Sequence, residues 1–295
     1  MAKQTWLITG CSSGFGEQFV RQLTAQGDQV VATGRNAETR LAHLKDTGAT
    51  ILDLDVTAPQ AEIEKKFQEA LDAYGTIDVL VNNAGFIQCG AIEEMTQEEL
   101  QLSIDTHLHG PLNLTRAALP YLREKGSGWL IYMSSQSGFV GEPGAVGYCA
   151  SKFALEGAVE CLAKELAWLA PGIKPLIIES GIFNTEVMAN IHHVDSRIPF
   201  WKPLNDAARI RGQGNYRNPP GNATEMVAKI IQIVKGTGFA EGREIPLRIP
   251  FGSDCLEVAY QKLQTLQKTY KEWEDVAKST DFPGAGQPMP DIPNK

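Results

Sequence analysis

Short apolar runs bounded by turn residues alternate along most of this chain with longer stretches of helical period. The runs Trp6–Ile8, Gln29–Ala32, Thr50–Leu52, Ile77–Val81, Trp129–Met133 and Pro175–Ile178 predict six buried strands, with a seventh near 244–249. Helical patterns fill about 14–26, 37–47, 59–74, 97–125 and 150–170. Thr96 with Glu99 forms a capping box, and Asn222 with Glu225 opens a further helix. Alternation this regular requires parallel strands, right-handed crossovers and helices on both faces. The expectation is one α/β domain, a doubly wound sheet of about seven strands, because neither a repeat nor a linker interrupts the pattern.

Two segments break the alternation. Residues 182–221 carry Met188, His192, His193, Trp201, Pro203, Pro219 and Pro220 without one period, which predicts a mobile lid. Residues 254–278 place Leu256, Tyr260, Leu263, Leu266, Tyr270 and Trp273 at helical spacing, a final amphipathic helix for the body or a partner subunit. The division is then a catalytic domain over 1–252 including the lid, the helix over 253–280, and a Pro/Gly-rich, loosely ordered tail over 281–295.

Composition narrows the function classes. Of 295 residues, 43% are hydrophobic and 21% charged, an ordinary globular profile. The net charge of −8 would repel nucleic acid and anionic lipid, so neither is expected as a partner. No run reaches the roughly 18 apolar residues of a spanning helix. Five cysteines with no CxxC spacing suggest neither a disulfide framework nor a zinc site. Adjacent His192 and His193 lack nearby ligands, and no metal is expected. Met-Ala-Lys-Gln-Thr runs directly into the first strand without a signal-peptide core, so a reducing, cytoplasmic setting is expected.

The first strand leads through Thr9-Gly10-Cys11-Ser12-Ser13-Gly14-Phe15-Gly16 into a helix. Glycines there let the backbone turn and approach a pyrophosphate, which the helix N-terminus holds with free N–H groups and its dipole. Gly10, Ser12, Ser13, Gly14, Phe15 and Gly16 are thus candidate cofactor positions, and the strand–turn–helix context supports them. The second strand ends Thr33-Gly34-Arg35. An acid there would suit the ribose hydroxyl of NAD; Arg35 suits the 2′-phosphate of NADP(H).

Thr9-Gly-x-x-x-Gly-x-Gly16, Asn82-Asn83-Ala84-Gly85 and Tyr148-x-x-x-Lys152 resemble, in order and spacing, the signatures of the single-domain short-chain dehydrogenases/reductases over roughly residues 4 to 250. The stretch Tyr148–Gly157 is similar to the 17β-hydroxysteroid and retinol dehydrogenase branch. The resemblance implies a Rossmann-type fold, a bulky apolar carbonyl or alcohol substrate, and homodimers or homotetramers formed through the helices near 97–125 and 150–170. It implies that Asp55 lies by the adenine, and that Asn82, Ala84 and Gly85 line the cofactor. It also adds Gly181, Phe183 and Thr185 to the cofactor positions.

A tyrosine acid has an ordinary pKa near 10, too high for exchange around neutrality. Lys152, four residues on, shares a helix face with Tyr148 and can stabilise a tyrosinate. Tyr148 is then the general acid or base, and Ser135 the hydrogen-bond partner of the substrate oxygen. Two positions depart from the family pattern. His107 stands where an asparagine usually positions a relay water; it either relays protons itself, is a tolerated substitute, or marks an impaired relay. Ser180-Gly181 replaces Pro-Gly, which loosens the turn before the lid. The expected activity is NADP(H)-dependent carbonyl–alcohol interconversion, with Phe183, Val187, Met188, Ile191, Phe200 and Trp201 forming an apolar substrate lid. The rivals are a non-redox cyclisation or isomerisation in the same pocket and a non-catalytic dinucleotide sensor.

Overall fold

The computed structural model describes residues 3–282. In chain order, β1 (Thr5–Ile8), α1 (Gly14–Ala25), β2 (Gln29–Gly34), the short α2 (Ala37–Arg40), β3 (Thr50–Asp53), α3 (Gln60–Asp72) and β4 (Val79–Asn82) make the first half. There follow β5 (Gln88–Cys89), α4 (Gln97–Ile104), α5 (Gly110–Lys125), β6 (Gly128–Met133), α6 (Val146–Leu169) and β7 (Ile173–Ser180). The chain closes with β8 (His192–His193), α7 (Lys202–Arg217), α8 (Ala223–Lys235), β9 (Arg248–Phe251), α9 (Ser253–Glu272) and α10 (Glu274–Lys278).

Seven strands form one parallel sheet in the order β3-β2-β1-β4-β6-β7-β9. Strand side chains alternate between two cores, as a period of two demands. Trp6, Ile8, Val79, Val81, Ile131 and Ile178 enter the core under α1 and α8. Leu7, Leu80, Leu130, Tyr132 and Ile177 enter the core under α3, α5 and α6. The strand order reverses between β1 and β4, so a crevice opens beyond their carboxyl ends, where such sheets bind ligands.

The sequence reading differs from the fold in several places. The helix expected over 97–125 is α4 and α5 joined by a π turn, Asp105–His109. Pro111 has no N–H to close an α-helical bond onto the His107 carbonyl, and the ladder shifts register there. The expected lid contains a 16-residue helix, α7, and its His192–His193 pairs in parallel with Gln88–Cys89. The stretch expected as one helix over 37–47 is α2 followed by a 3₁₀ segment, Ala42–Thr47. The last strand falls at Arg248–Phe251, slightly beyond the predicted 244–249. The C-terminal helix forms, with Cys255 buried and Tyr260, Leu263, Tyr270 and Trp273 exposed. Most of the tail expected over 281–295 lies outside the described residues.

Candidate functional site

The glycine loop is built by close backbone approach. Gly10 has φ +71°, and a Cβ there would stand 2.7 Å from the Ala84 Cα. A methyl on Gly16 would collide with the Gly10 carbonyl oxygen, which no side-chain motion relieves. Thr9 Oγ1 accepts from the N–H groups of Asn83 (2.9 Å) and Ala84 (3.0 Å), tying the loop after β1 to the loop after β4. The Asn83 amide donates to the carbonyls of Thr9 (2.8 Å) and Gly10 (3.1 Å). At the start of α1, Ser13 makes no side-chain cap, so the first-turn N–H groups stay available for an anion.

A cavity of about 640 Å³ runs along the strand ends from this loop, a size typical of ligand sites. Gly10, Ser12, Ser13, Gly14, Phe15, Arg35, Asp55, Ala84 and Gly85 line it, as do Ser135, Tyr148, Lys152, Gly181, Phe183 and Thr185. Gly16, Asn82 and His107 do not. Gly16 acts behind the loop, through the approach to Gly10. Asn82 is buried with both amide atoms unpartnered, under the loop rather than in the cavity wall. Asp55 spends one carboxylate oxygen on the Thr57 N–H (2.9 Å) and hydroxyl (2.8 Å). Arg35 is exposed at the cavity edge, and Arg40 joins it there, 3.5 Å from the Ser12 hydroxyl. Free N–H groups at one helix start and two guanidiniums beyond it are a donor set that fits a phosphate-bearing dinucleotide.

At the other end, Ser135 follows β6, and Tyr148 and Lys152 stand one turn apart on α6. The Ser135 hydroxyl accepts from the Ser137 N–H (3.2 Å), leaving its own proton to donate. Burial pushes the Tyr148 phenol well above its ordinary range, and the Ser135 hydrogen bond offsets only part of that rise. The Lys152 ammonium donates to the Met133 carbonyl (2.7 Å) and lies 5.7 Å from the centre of the Tyr148 ring. Burial lowers its pKa to about 8, against the opposing pull of Glu156.

His107 is fully buried behind this end. Its Nε2 accepts from the Phe86 N–H (3.1 Å), which leaves Nδ1–H to donate to Ser151 Oγ (3.0 Å). Ser151 in turn donates to the Tyr148 carbonyl (2.8 Å). Burial, followed by the Lys152 charge, holds the imidazole well below its ordinary pKa. With both nitrogens occupied in the neutral form, a relay through the ring would first have to break the Phe86 bond. His107 therefore ties the loop at Gly85–Phe86 to α6 through Ser151. Ser180 donates to the Ser134 carbonyl (3.2 Å), and Asp254, at the start of α9, accepts from the Ile182 N–H (2.7 Å). The turn expected to be loosened by Ser180-Gly181 is thus pinned from two sides.

Of the expected apolar lid, Phe183, Val187, Met188 and Ile191 line the cavity. Phe200 and Trp201 do not; Phe200 is 76% exposed, and Trp201 meets it edge-to-face and donates to Glu93 (2.7 Å). Arg40, Glu142, Arg211 and Asp254 escaped the sequence reading, since a lone charged residue in a polar stretch carries no motif. Among the described residues, no cluster of three or more His, Cys, Asp or Glu could hold a metal, and no helix is long and apolar enough to cross a membrane.

The family profile described as short chain dehydrogenase matches residues 4–195. A solved short-chain dehydrogenase from Streptomyces avermitilis is 35% identical, covering 95% of this chain and 99% of that one, with a TM-score of 0.83. The uncharacterized oxidoreductase YusZ of Bacillus subtilis is 31% identical, over 86% of this chain and 94% of its own length. A short-chain dehydrogenase/reductase from Burkholderia phymatum, solved with NAD, is 19% identical with a TM-score of 0.77 over 90% of this chain and 95% of its own, and shares the fold.

Proposed function

The chain belongs to the short-chain dehydrogenase family, and from that premise we propose that it interconverts a bulky apolar ketone and its secondary alcohol with NADP(H). One observation carries the reading. Ser135, Tyr148 and Lys152 line one end of a cavity whose other end offers the α1 N-terminus, Arg35 and Arg40. The dinucleotide, when bound, supplies or accepts the hydride.

The chain's own groups hold the substrate oxygen and handle the proton. Ser135 donates a hydrogen bond to that oxygen, and Tyr148 gives up its phenol proton to it in reduction. Lys152, charged below about pH 8, stabilises the tyrosinate that results. Val187, Met188 and Ile191 cover the apolar body of the substrate and exclude water. Arg35 and Arg40 support the choice of NADP(H), since two guanidiniums and no acid stand where the 2′-position would lie. His107 and Ser180, on which a non-redox reading rested, are both held in hydrogen bonds within the frame. The proposal includes a homodimer or homotetramer through the helices over 97–125 and 150–170, where Phe153, Trp168 and Leu169 are exposed.

The test is loss of NADPH absorbance against a panel of bulky ketones, quinones and polyketide-like carbonyls, with Tyr148→Phe beside the wild type. Oxidation by the wild type that falls by about 100-fold or more in the variant supports the reading. Tight NADPH binding with no carbonyl consuming it overturns the redox assignment, and equal use of NADH overturns the cofactor choice.

A further inference from the structure

Helix α7 lies over the substrate end of the cavity and turns Ala208, Arg211, Gly212 and Asn215 toward it, a stripe with the spacing of one helical face. Ala208 and Gly212 contribute almost no side chain. A Cβ on Gly212 would already stand 2.7 Å from Ile191 Cδ1. Arg211 is therefore the one charged group on this stripe, with Asn215 its other polar side chain.

Its guanidinium is under-used. Among the described residues it makes one loose contact, 3.5 Å to Glu142 Oε2, and no hydrogen bond, although it carries five N–H donors. Glu142 is engaged elsewhere: its Oε1 accepts from Gln136 Nε2 (3.1 Å) and Ser137 Oγ (2.9 Å), both on the turn that begins at Ser135. The carboxylate aims the guanidinium without satisfying it. With the arginine side chain 49% exposed, such a pair is weak and readily exchanged for a better partner.

Helix α7 as a whole is cationic, although Glu142 and Glu186 also line the cavity. Helix α7 carries Lys202, Arg209, Arg211 and Arg217 against the single acid Asp206, a net of three positive charges on a chain whose total is −8. The position is also close to the reacting end. Glu142, 3.5 Å from Arg211, accepts from Ser137, two residues beyond Ser135.

We propose that Arg211 binds a carboxylate on the substrate, so that the preferred substrates are apolar oxo acids rather than neutral ketones. This rests on the carbonyl-reductase reading and deepens it. A planar carboxylate takes two parallel N–H bonds from the guanidinium fork. A neutral ketone would cover the same guanidinium and leave its donors unpaired.

The test titrates 4-oxo-4-phenylbutanoate and its methyl ester into the NADP⁺ complex of the full chain, following protein fluorescence. Wild type, Arg211→Ala and Arg211→Lys are compared, and NADPH oxidation by both probes is read separately. The acid should bind about tenfold to a hundredfold more tightly than the ester in the wild type. Arg211→Ala should erase that preference and Arg211→Lys restore part of it. Equal binding of acid and ester, a preference that survives in Arg211→Ala, or no acid binding at millimolar concentration overturns the proposal. Arg211-dependent acid binding without oxidation of NADPH keeps the anion site and removes the reductase reading. Oxidation with no acid preference does the reverse.

Discussion

Replacing Lys152 by methionine should remove activity and yet stabilise the unliganded protein. The lysine is 6% exposed, and burial lowers its pKa from 10.5 to about 8. That difference corresponds to roughly 3.5 kcal/mol, at about 1.4 kcal/mol per tenfold change in proton affinity. The sign follows from proton binding. Between pH 8 and 10.5 the unfolded chain keeps the lysine proton and the folded chain does not, so stability rises with pH across that window. Below pH 8 the folded protein carries the whole penalty. Methionine has a similar reach and no charge, and removes the penalty. Against this, the Met133 carbonyl loses its donor, which costs roughly 1–3 kcal/mol. The prediction is a net stabilisation of about 1 kcal/mol at pH 6.5. Urea unfolding of the unliganded protein, followed by tryptophan fluorescence from pH 6.5 to 9.5, measures it. The advantage should shrink above pH 8, where the wild type sheds the proton. A variant less stable than wild type at pH 6.5, or a difference that ignores pH, would refute the reasoning.

Arg35→Ala should weaken NADPH binding about 10- to 100-fold while leaving NADH affinity unchanged, with a smaller loss in Arg40→Ala. Cofactor fluorescence titrations check this, and parallel losses for both dinucleotides would count against a phosphate role. His107→Asn cannot reproduce both ring bonds and should destabilise the fold by about 1–3 kcal/mol in denaturant titrations. Since burial and then the Lys152 charge hold the imidazole well below its ordinary pKa, the variant should retain the wild-type pH–rate profile; loss of an acid limb that the wild type shows would count against that.

The central strands and the motifs at their ends were legible because buried parallel strands are nearly all apolar and the catalytic pair obeys a helical period. Trp6–Ile8 and Val79–Val81 admit no polar side chain, and Tyr148 and Lys152 share a face of α6. Helix α7 was not legible, because Pro203, Gly212 and Gly214 interrupt a largely polar stretch in which only Asn205, Ala208 and Gly212 are buried. The start of α6 at Val146 was hidden behind Pro143 and Gly144, so the predicted helix began four residues late, at 150. Of the four consecutive motif residues, Asn83, Ala84 and Gly85 line the cavity and Asn82 is buried beneath them, a distinction that spacing alone does not carry. Asp254 belongs to a helix more than 70 residues beyond the turn it holds, a relation that appears only once β9 pairs with β7.

The two ends of the cavity are built to different tolerances. Along α6, Tyr148, Ser151, Lys152 and Glu156 form one polar stripe, and each of the last three is tied inward. Ser151 joins His107, Lys152 joins the Met133 carbonyl, and Glu156 accepts from Ser134 (2.5 Å) and from Arg248 (2.9 Å), which also holds Glu179 (2.8 Å). Burial pushes Glu156 up to about 7 even beside that arginine. Such a stripe is costly to bury, and removing any one partner would strand a polar group. What the stripe secures is position: the ends of β6, β7 and β9 are locked to one helix, so Ser135 and Tyr148 keep their places with no ligand bound. The roof under α7 is anchored at its first turns, where Asn205 donates to the buried Glu94 (2.6 Å). Over the cavity itself one 3.5 Å ion pair joins Arg211 to Glu142. Rigidity where the proton moves and slack where the rest of the substrate lies is the combination that lets one catalytic frame accept substrates chosen by its lid.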